Sequence, residues 1–327
     1  MEGNASCKPN YEWCSTEQVK SVLGSLTFKS KDNACLENTP ELAMSSILRT
    51  ANGDRFVLFV SNFAENEIEV WEITRTTKLI AKFAGRILVP GSSAWSKMSC
   101  DCAARDVFNL PGDVTYFFLF VTCPDLGSVR YIRLECDLSW LKKFSSISMT
   151  NEFKHPGLHT PSSVTSYRGC DVTVAIICGS SGIIFYFKFF KSGEESNSVT
   201  ELKKFARKRH PTLCAMAIDD RGYTYVTSAQ SDDVTEINPT QLDEKVFKFA
   251  EGIHGISIKQ TKTEATLLGT VTKLNRLVAL SGHKNDVIST PAFGLKNPRS
   301  ILSVSDLVIL AGRSTGTNSA KVLFFTL

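Results

Sequence analysis

What most limits the folds open to this chain is a four-part unit that recurs along it in fixed order. From Leu213 the sequence reads Leu-Cys-Ala-Met-Ala-Ile, then a turn at Asp219-Asp220-Arg221-Gly222. Tyr223-Thr-Tyr-Val-Thr227 follows, then a turn at Ser231-Asp232-Asp233, Val234-Thr-Glu-Ile237, and last Lys245-Val-Phe-Lys-Phe249. Short beta-branched and aromatic runs bounded by Gly, Asp or Asn read as strands. The stretch from Ser46 has the same layout: Ile47-Leu48, a turn at Asn52-Gly53-Asp54, Phe56 to Val60, a turn at Glu65-Asn66, Ile68 to Ile73, and Leu79 to Phe83. Further units start near Cys102, Ser162, Gly255 and Arg299. Helical periodicity is scarce, and the chain reads as all-β.

A period of roughly 40 to 60 residues with four strands per unit is that of propeller blades. Each blade adds its own small core, so 327 residues fit one domain. The chain ends in Lys321-Val-Leu-Phe-Phe-Thr-Leu327, a third strand with no fourth behind it, while Val22-Leu-Gly-Ser-Leu26-Thr-Phe28 resembles the missing one. Placing Val22–Phe28 in the last blade gives a single closed β-propeller over residues 21–327, with residues 1–20 as a flexible arm. Counting this way gives six blades. Seven stays open, because Gly269 to Ser305 can be cut in more than one register.

The fourth strand gives the most legible echo: Leu79-Ile-Ala-Lys-Phe83, Leu141-Lys-Lys-Phe144, Leu202-Lys-Lys-Phe205 and Val246-Phe-Lys-Phe249. As the outer edge of a blade it is exposed, and lysine there discourages pairing with another chain.

Two families share parts of this pattern. Pro211 to Thr227 followed by Asp233-Val-Thr-Glu-Ile-Asn238 resembles an NHL repeat, and His159-Thr-Pro-Ser-Ser-Val164 is a fainter copy. The first blade resembles a WD40 repeat, with Asn52-Gly-Asp before a strand and Ile68-Glu-Val-Trp-Glu72 where that family has Trp-Asp; Gly282-His283 echoes its Gly-His. The resemblance implies a propeller that scaffolds proteins, or, as in some NHL propellers, one that binds single-stranded RNA on a basic face.

Composition is that of a soluble globular chain, 43% hydrophobic and 21% charged. No apolar run approaches the roughly 18 residues of a membrane span. The amino terminus lacks the basic and apolar regions of a secretory signal. Of the ten cysteines, Cys123, Cys170, Cys178 and Cys214 lie in or beside apolar strands, as reduced thiols do, and the expected location is intracellular, in the cytoplasm. The sequon Asn4-Ala5-Ser6 has meaning only if a signal was removed.

The motifs that suggest chemistry have structural readings. Gly312-Arg-Ser314-Thr-Gly316 matches a nucleophile elbow, but the elbow needs a helix behind it and here another strand follows. Cys100-Asp-Cys102, with Cys123 and Cys136, lacks the paired spacing of a zinc knuckle. Asn62, Asp101 and Asp219 are conceivable ligands for a divalent ion on the axis, as in lactonase-like six-bladed hydrolases. No cofactor or metal is expected.

In a propeller the loops entering each inner strand share a face with those joining second to third strands. On that face the sequence places Arg207, Lys208, Arg209 and His210, with Lys154, His155, His159, His254, Lys273, Arg276, Arg299 and Arg313, besides Arg86, Lys97 and Lys296. A basic face attracts acidic peptide or phosphate. The leading expectation is a non-catalytic scaffold binding a protein or peptide partner there. Single-stranded RNA is the alternative, with Trp95 and Tyr167 as candidate stacking rings, and a metal-dependent hydrolase the third.

Overall fold

A computed structural model of the chain describes residues 21–29, 40–44, 48–50, 53–61, 67–92, 96–102, 114–137, 144–168, 172–179, 182–191, 200–206, 215–219, 221–228, 231–248, 252–260, 265–281, 284–289, 293–304, 306–315 and 319–327. The arm expected over residues 1–20 lies outside them. Among the described residues, twenty-five strands, all paired antiparallel, make six sheets, five of four strands and one of five.

The chain enters at β1 (Ser21–Lys29). The five-stranded sheet holds β2 (Leu42–Met44) and β3 (Leu48–Thr50), both paired with β4 (Gly53–Ser61), then β5 (Glu67–Arg75) and β6 (Leu79–Leu88). The next runs β7 (Met98–Cys102), β8 (Val114–Cys123), β9 (Ser128–Asp137) and β10 (Phe144–Phe153). After it come β11 (Pro161–Arg168), β12 (Val172–Gly179), β13 (Ile183–Lys191) and β14 (Thr200–Ala206). The fourth is β15 (Ala215–Ile218), β16 (Thr224–Thr227), β17 (Asp233–Ile237) and β18 (Glu244–Lys248). The fifth is β19 (Ile253–Gln260), β20 (Ala265–Val271), β21 (Arg276–Ser281) and β22 (Lys284–Ser289). The last holds β23 (Leu295–Val304), β24 (Leu307–Ser314) and β25 (Ser319–Thr326), and β1 pairs with β25 from Ser21↔Thr326 to Lys29↔Ser319.

Burial on both faces explains the apolar runs. Along a strand, alternate side chains point to opposite faces. In β4, Phe56, Leu58 and Val60 pack toward β24 and β25, while Val57 and Phe59 pack toward β8 and β9. In β8, Leu119 and Val121 join that second cluster, and Phe118 and Phe120 turn to β13. In β24, Leu307, Ile309 and Ala311 face β4 and β5, while Val308 and Leu310 face β20 and β21. Two more clusters join β13 to β15–β17 and β15–β17 to β19–β21. Every sheet therefore packs on two neighbours, the propeller-like arrangement. The strands β2, β7, β11, β15, β19 and β23 touch one another in that order, and β23 touches β2.

A hydroxyl at the end of the second strand secures the start of the first in four sheets. Ser61 Oγ accepts the Glu41 N–H at 2.8 Å, Thr122 Oγ1 the Lys97 N–H at 2.8 Å, and Thr270 Oγ1 the Gly255 N–H at 2.8 Å. Thr227 Oγ1 instead donates to the Ala215 carbonyl at 3.4 Å. These hydroxyls are nearly or fully buried, and they set where the first residues of the inner strands sit.

Several boundaries differ from the sequence reading. The first inner strand is not Ile47-Leu48 but Leu42–Met44, with β3 continuing along β4. Leu141 to Lys143 lie outside the described residues, and the outer strand there starts at Phe144. On β6 the edge is not shielded by lysine alone: Ile80 and Phe83 are exposed as well as Lys82, and the Phe83 ring meets Trp71 edge-on at 5.4 Å. No helix among the described residues is long and apolar enough to cross a membrane.

Candidate functional site

The six inner strands line a cavity of about 210 Å³. Its wall includes the hydroxyl residues Ser99, Ser163, Thr165, Ser257, Ser300 and Ser303. Several serines bridge neighbouring strands: the Leu42 N–H donates to Ser300 Oγ at 3.1 Å, the Ser166 N–H to Ser99 Oγ at 2.9 Å, and the Ser303 N–H to Ser257 Oγ at 3.0 Å.

Charge gathers where the inner strands begin. Glu41 stands just ahead of β2, Lys97 just ahead of β7, His254 at the start of β19 and Arg299 within β23. Glu41 is 2% exposed, and its Oε1 accepts from Lys97 Nζ at 2.7 Å and from Arg299 Nε at 3.2 Å. One carboxylate thus ties strands of three sheets. A buried pair of this kind is costly to form and costlier to break, because each ion has lost its water.

Two backbone irregularities put His254 and Arg299 in place. The β19–β20 register shifts between Ile253 and Gly255, so His254 sits on a bulge, and the β23–β24 register shifts between Lys296 and Ser300, around Arg299. Bulges re-aim side chains at strand ends. Thr270 couples these two, since its Oγ1 accepts the Gly255 N–H and lies 3.0 Å from the Arg299 carbonyl as donor. Thr272 Oγ1 donates to the Pro298 carbonyl at 2.7 Å. Gly255 is required by the close approach: a Cβ there would lie 2.1 Å from the Arg299 carbonyl oxygen.

Burial pulls the His254 pKa down to about 4, and Arg299, Lys97 and Lys273 push the same way against the opposing pull of Glu41. At neutral pH the imidazole is therefore uncharged, with one nitrogen free to accept a proton. A base held neutral beside cations is a chemically useful arrangement.

Of the residues expected on the basic face, Arg299, Lys97 and Lys273 all bear electrostatically on the His254 imidazole. Others are engaged elsewhere. Lys154 pairs with Glu152 at 3.3 Å, and His155 Nε2 lies 3.0 Å from Glu201 Oε2 with its ring against Phe153, Phe185 and Phe187. His159 is exposed ahead of β11, Arg276 opens β21, and Arg313 near the end of β24 stands opposite Lys296. Arg207, Lys208, Arg209 and His210 lie outside the described residues, as do Trp95 and Asn62. Tyr167 is half-buried, packed against the cluster of Tyr186 and Met216.

The sequence reading missed Glu41. Its signal was a carboxylate directly before the apolar Leu42-Ala43-Met44, hidden once the inner strand was placed at Ile47-Leu48. The Asp219 carboxylate is engaged within its own turn: Oδ2 is held by the Arg221 guanidinium at 2.6 and 2.9 Å, and Oδ1 takes the N–H groups of Arg221 and Tyr223. Gly312 to Ser314 end β24, which turns into β25 as a hairpin. Cys123 is buried and its thiol is pushed up to about 11 by desolvation, so it is a poor nucleophile.

No family model matches the chain, and no curated protein matches it in sequence. The NHL-like and WD40-like stretches accordingly stand as resemblances of single blades. Solved structures do match in shape. A virginiamycin B lyase from Staphylococcus aureus superposes with a TM-score of 0.53 at 11% identity, over 93% of this chain and 98% of that one. A catalytically inactive histidine-to-alanine variant of that lyase, solved with quinupristin, gives 0.51 at 11% identity over 93% and 99%. The PQQ-bound aldose sugar dehydrogenase from Streptomyces coelicolor gives 0.52 at 13% identity over 94% and 98%. The Aleuria aurantia lectin with alpha-methyl-L-fucoside gives 0.56 at 10% identity over 85% and 89%.

These likenesses correct the expectation of a non-catalytic scaffold. Chains of this shape include a lyase and a dehydrogenase, so the lack of a familiar catalytic spacing is no argument against catalysis. Glu41, Lys97 and Arg299 come from three separate sheets, and such a set leaves no spacing motif. At these identities the likeness is one of fold, and together with the sheets and their packing it establishes the chain as an all-β propeller.

Proposed function

We propose that this propeller acts on a small molecule at the charged mouth of its axial cavity, with His254 as the group that takes and returns a proton. We read the six sheets as blades of one ring that β1 completes beside β25, which makes the cavity axial. The observation that carries the proposal is the placement of a neutral imidazole on a bulge, where inner strands converge on Glu41, Lys97 and Arg299. A neutral histidine beside cations can accept a proton while the cations stabilise negative charge developing on the substrate. The fold supports the reading through the lyase, in which loss of a histidine is described as inactivating.

The test is turnover and binding across a panel of small molecules with ionisable C–H, ester or lactone groups, followed by mass spectrometry. His254→Gln is expected to lower turnover of any true substrate by about 100-fold or more, the usual scale of a lost general base. A substrate turned over equally by the variant would contradict the assignment.

A further inference from the structure

We infer that the molecule bound at this mouth carries an anionic group, a carboxylate or a phosphate, held by Lys273 and Arg299 while its uncharged polar remainder points into the cavity; this rests on the reading of the mouth as the ligand site. The charge balance is the first argument. The charges that bear on the His254 imidazole are weighted to the positive, Arg299, Lys97 and Lys273 opposing Glu41. Their environment is the second. The Lys97 and Arg299 side chains are 14% and 18% exposed, so water screens them poorly and an anion gains more there than at the surface. Lys273, in the turn between β20 and β21, is exposed and stands open to an incoming ligand.

The cavity wall is the third argument. Beyond Glu41 and Lys97 its lining holds no charged residue among the described residues, so none of these competes for the anion deeper in. Serine and threonine hydroxyls offer hydrogen bonds to a neutral polar group instead. At about 210 Å³ the cavity falls below the roughly 300–1,000 Å³ of drug-sized sites, so the part that enters is small.

The experiment follows the His254 imidazole by NMR in histidine-labelled protein, its signal assigned through its loss in His254→Gln. Pyrophosphate, citrate and the neutral methyl glucoside are the probes. The expected result is a saturable shift with pyrophosphate or citrate, weakening at least tenfold in Lys273→Glu and again as salt is raised. Whichever anion binds more tightly distinguishes phosphate from carboxylate. A shift with methyl glucoside but with neither anion overturns the anionic class and leaves the site reading standing. An anion shift unchanged in Lys273→Glu and insensitive to salt also overturns it. If no probe moves His254, the site reading falls with it.

Discussion

Replacing Glu41 by Ala is expected to destabilise the protein by about 3–5 kcal/mol, the range for removing one partner from a buried ion pair. The carboxylate is 2% exposed and binds Lys97 and Arg299 through a single oxygen. Its removal leaves two cations side by side with little water to screen them. Urea unfolding of both proteins measures the difference. A loss below about 1 kcal/mol, the scale of exposed pairs, would mean that the carboxylate is solvated. Replacing all three members by apolar residues (Glu41→Leu, Lys97→Met, Arg299→Met) is expected to restore most of the stability. That triple variant separates folding from function, because it removes two cations of the mouth, leaving Lys273, while keeping the sheets packed.

The second large effect is expected at Gly255. In Gly255→Ala the new Cβ would stand 2.1 Å from the Arg299 carbonyl oxygen and 2.9 Å from Thr270 Oγ1. The nearer obstacle is backbone, so no side-chain rotation relieves it, and β19 and β23 must move apart. A cost of about 1–3 kcal/mol follows for such overpacking, read as a fall in melting temperature. Gly24→Ala is the control, since its Cβ would meet only Leu79 atoms at 3.5 Å. Removing chain entropy at an unstrained site is neutral or slightly stabilising. Equal melting temperatures for the two variants would contradict the close approach.

The strands were legible where both faces are buried. Phe56 to Val60 and Phe118 to Val121 are continuous apolar runs because alternate residues serve clusters on opposite sides. The unit from Leu213 was legible for another reason: its turns are marked by Asp219, Gly222 and Ser231, with β15 ending before Asp219, β16 between Gly222 and Ser231, and β17 and β18 after Ser231. By contrast, β2 has three residues and is separated from β3, too short a run to outweigh Ile47-Leu48 nearby.

The site was legible in part. His254, Lys273 and Arg299 were expected on one face, and they lie near one another. Glu41 was not expected, because its ionic partners are 56 and 258 residues away and no local pattern announces them. The bulges at His254 and around Arg299 were equally silent, being backbone shifts set by Thr270 and Thr272 from the neighbouring strand and turn. The scaffold reading weighed motifs, and charges gathered from separate sheets, as at Glu41, Lys97 and Arg299, leave none.

His254 is a neutral imidazole among cations. An NMR pH titration of the His254 side chain tests this directly. Desolvation and the cations Arg299, Lys97 and Lys273 favour the uncharged form, so the midpoint is predicted at about 4, with the imidazole neutral throughout the physiological range. A midpoint at or above the ordinary value of 6.5 would mean that His254 is solvated or faces a net negative charge, and the account of the site would be wrong.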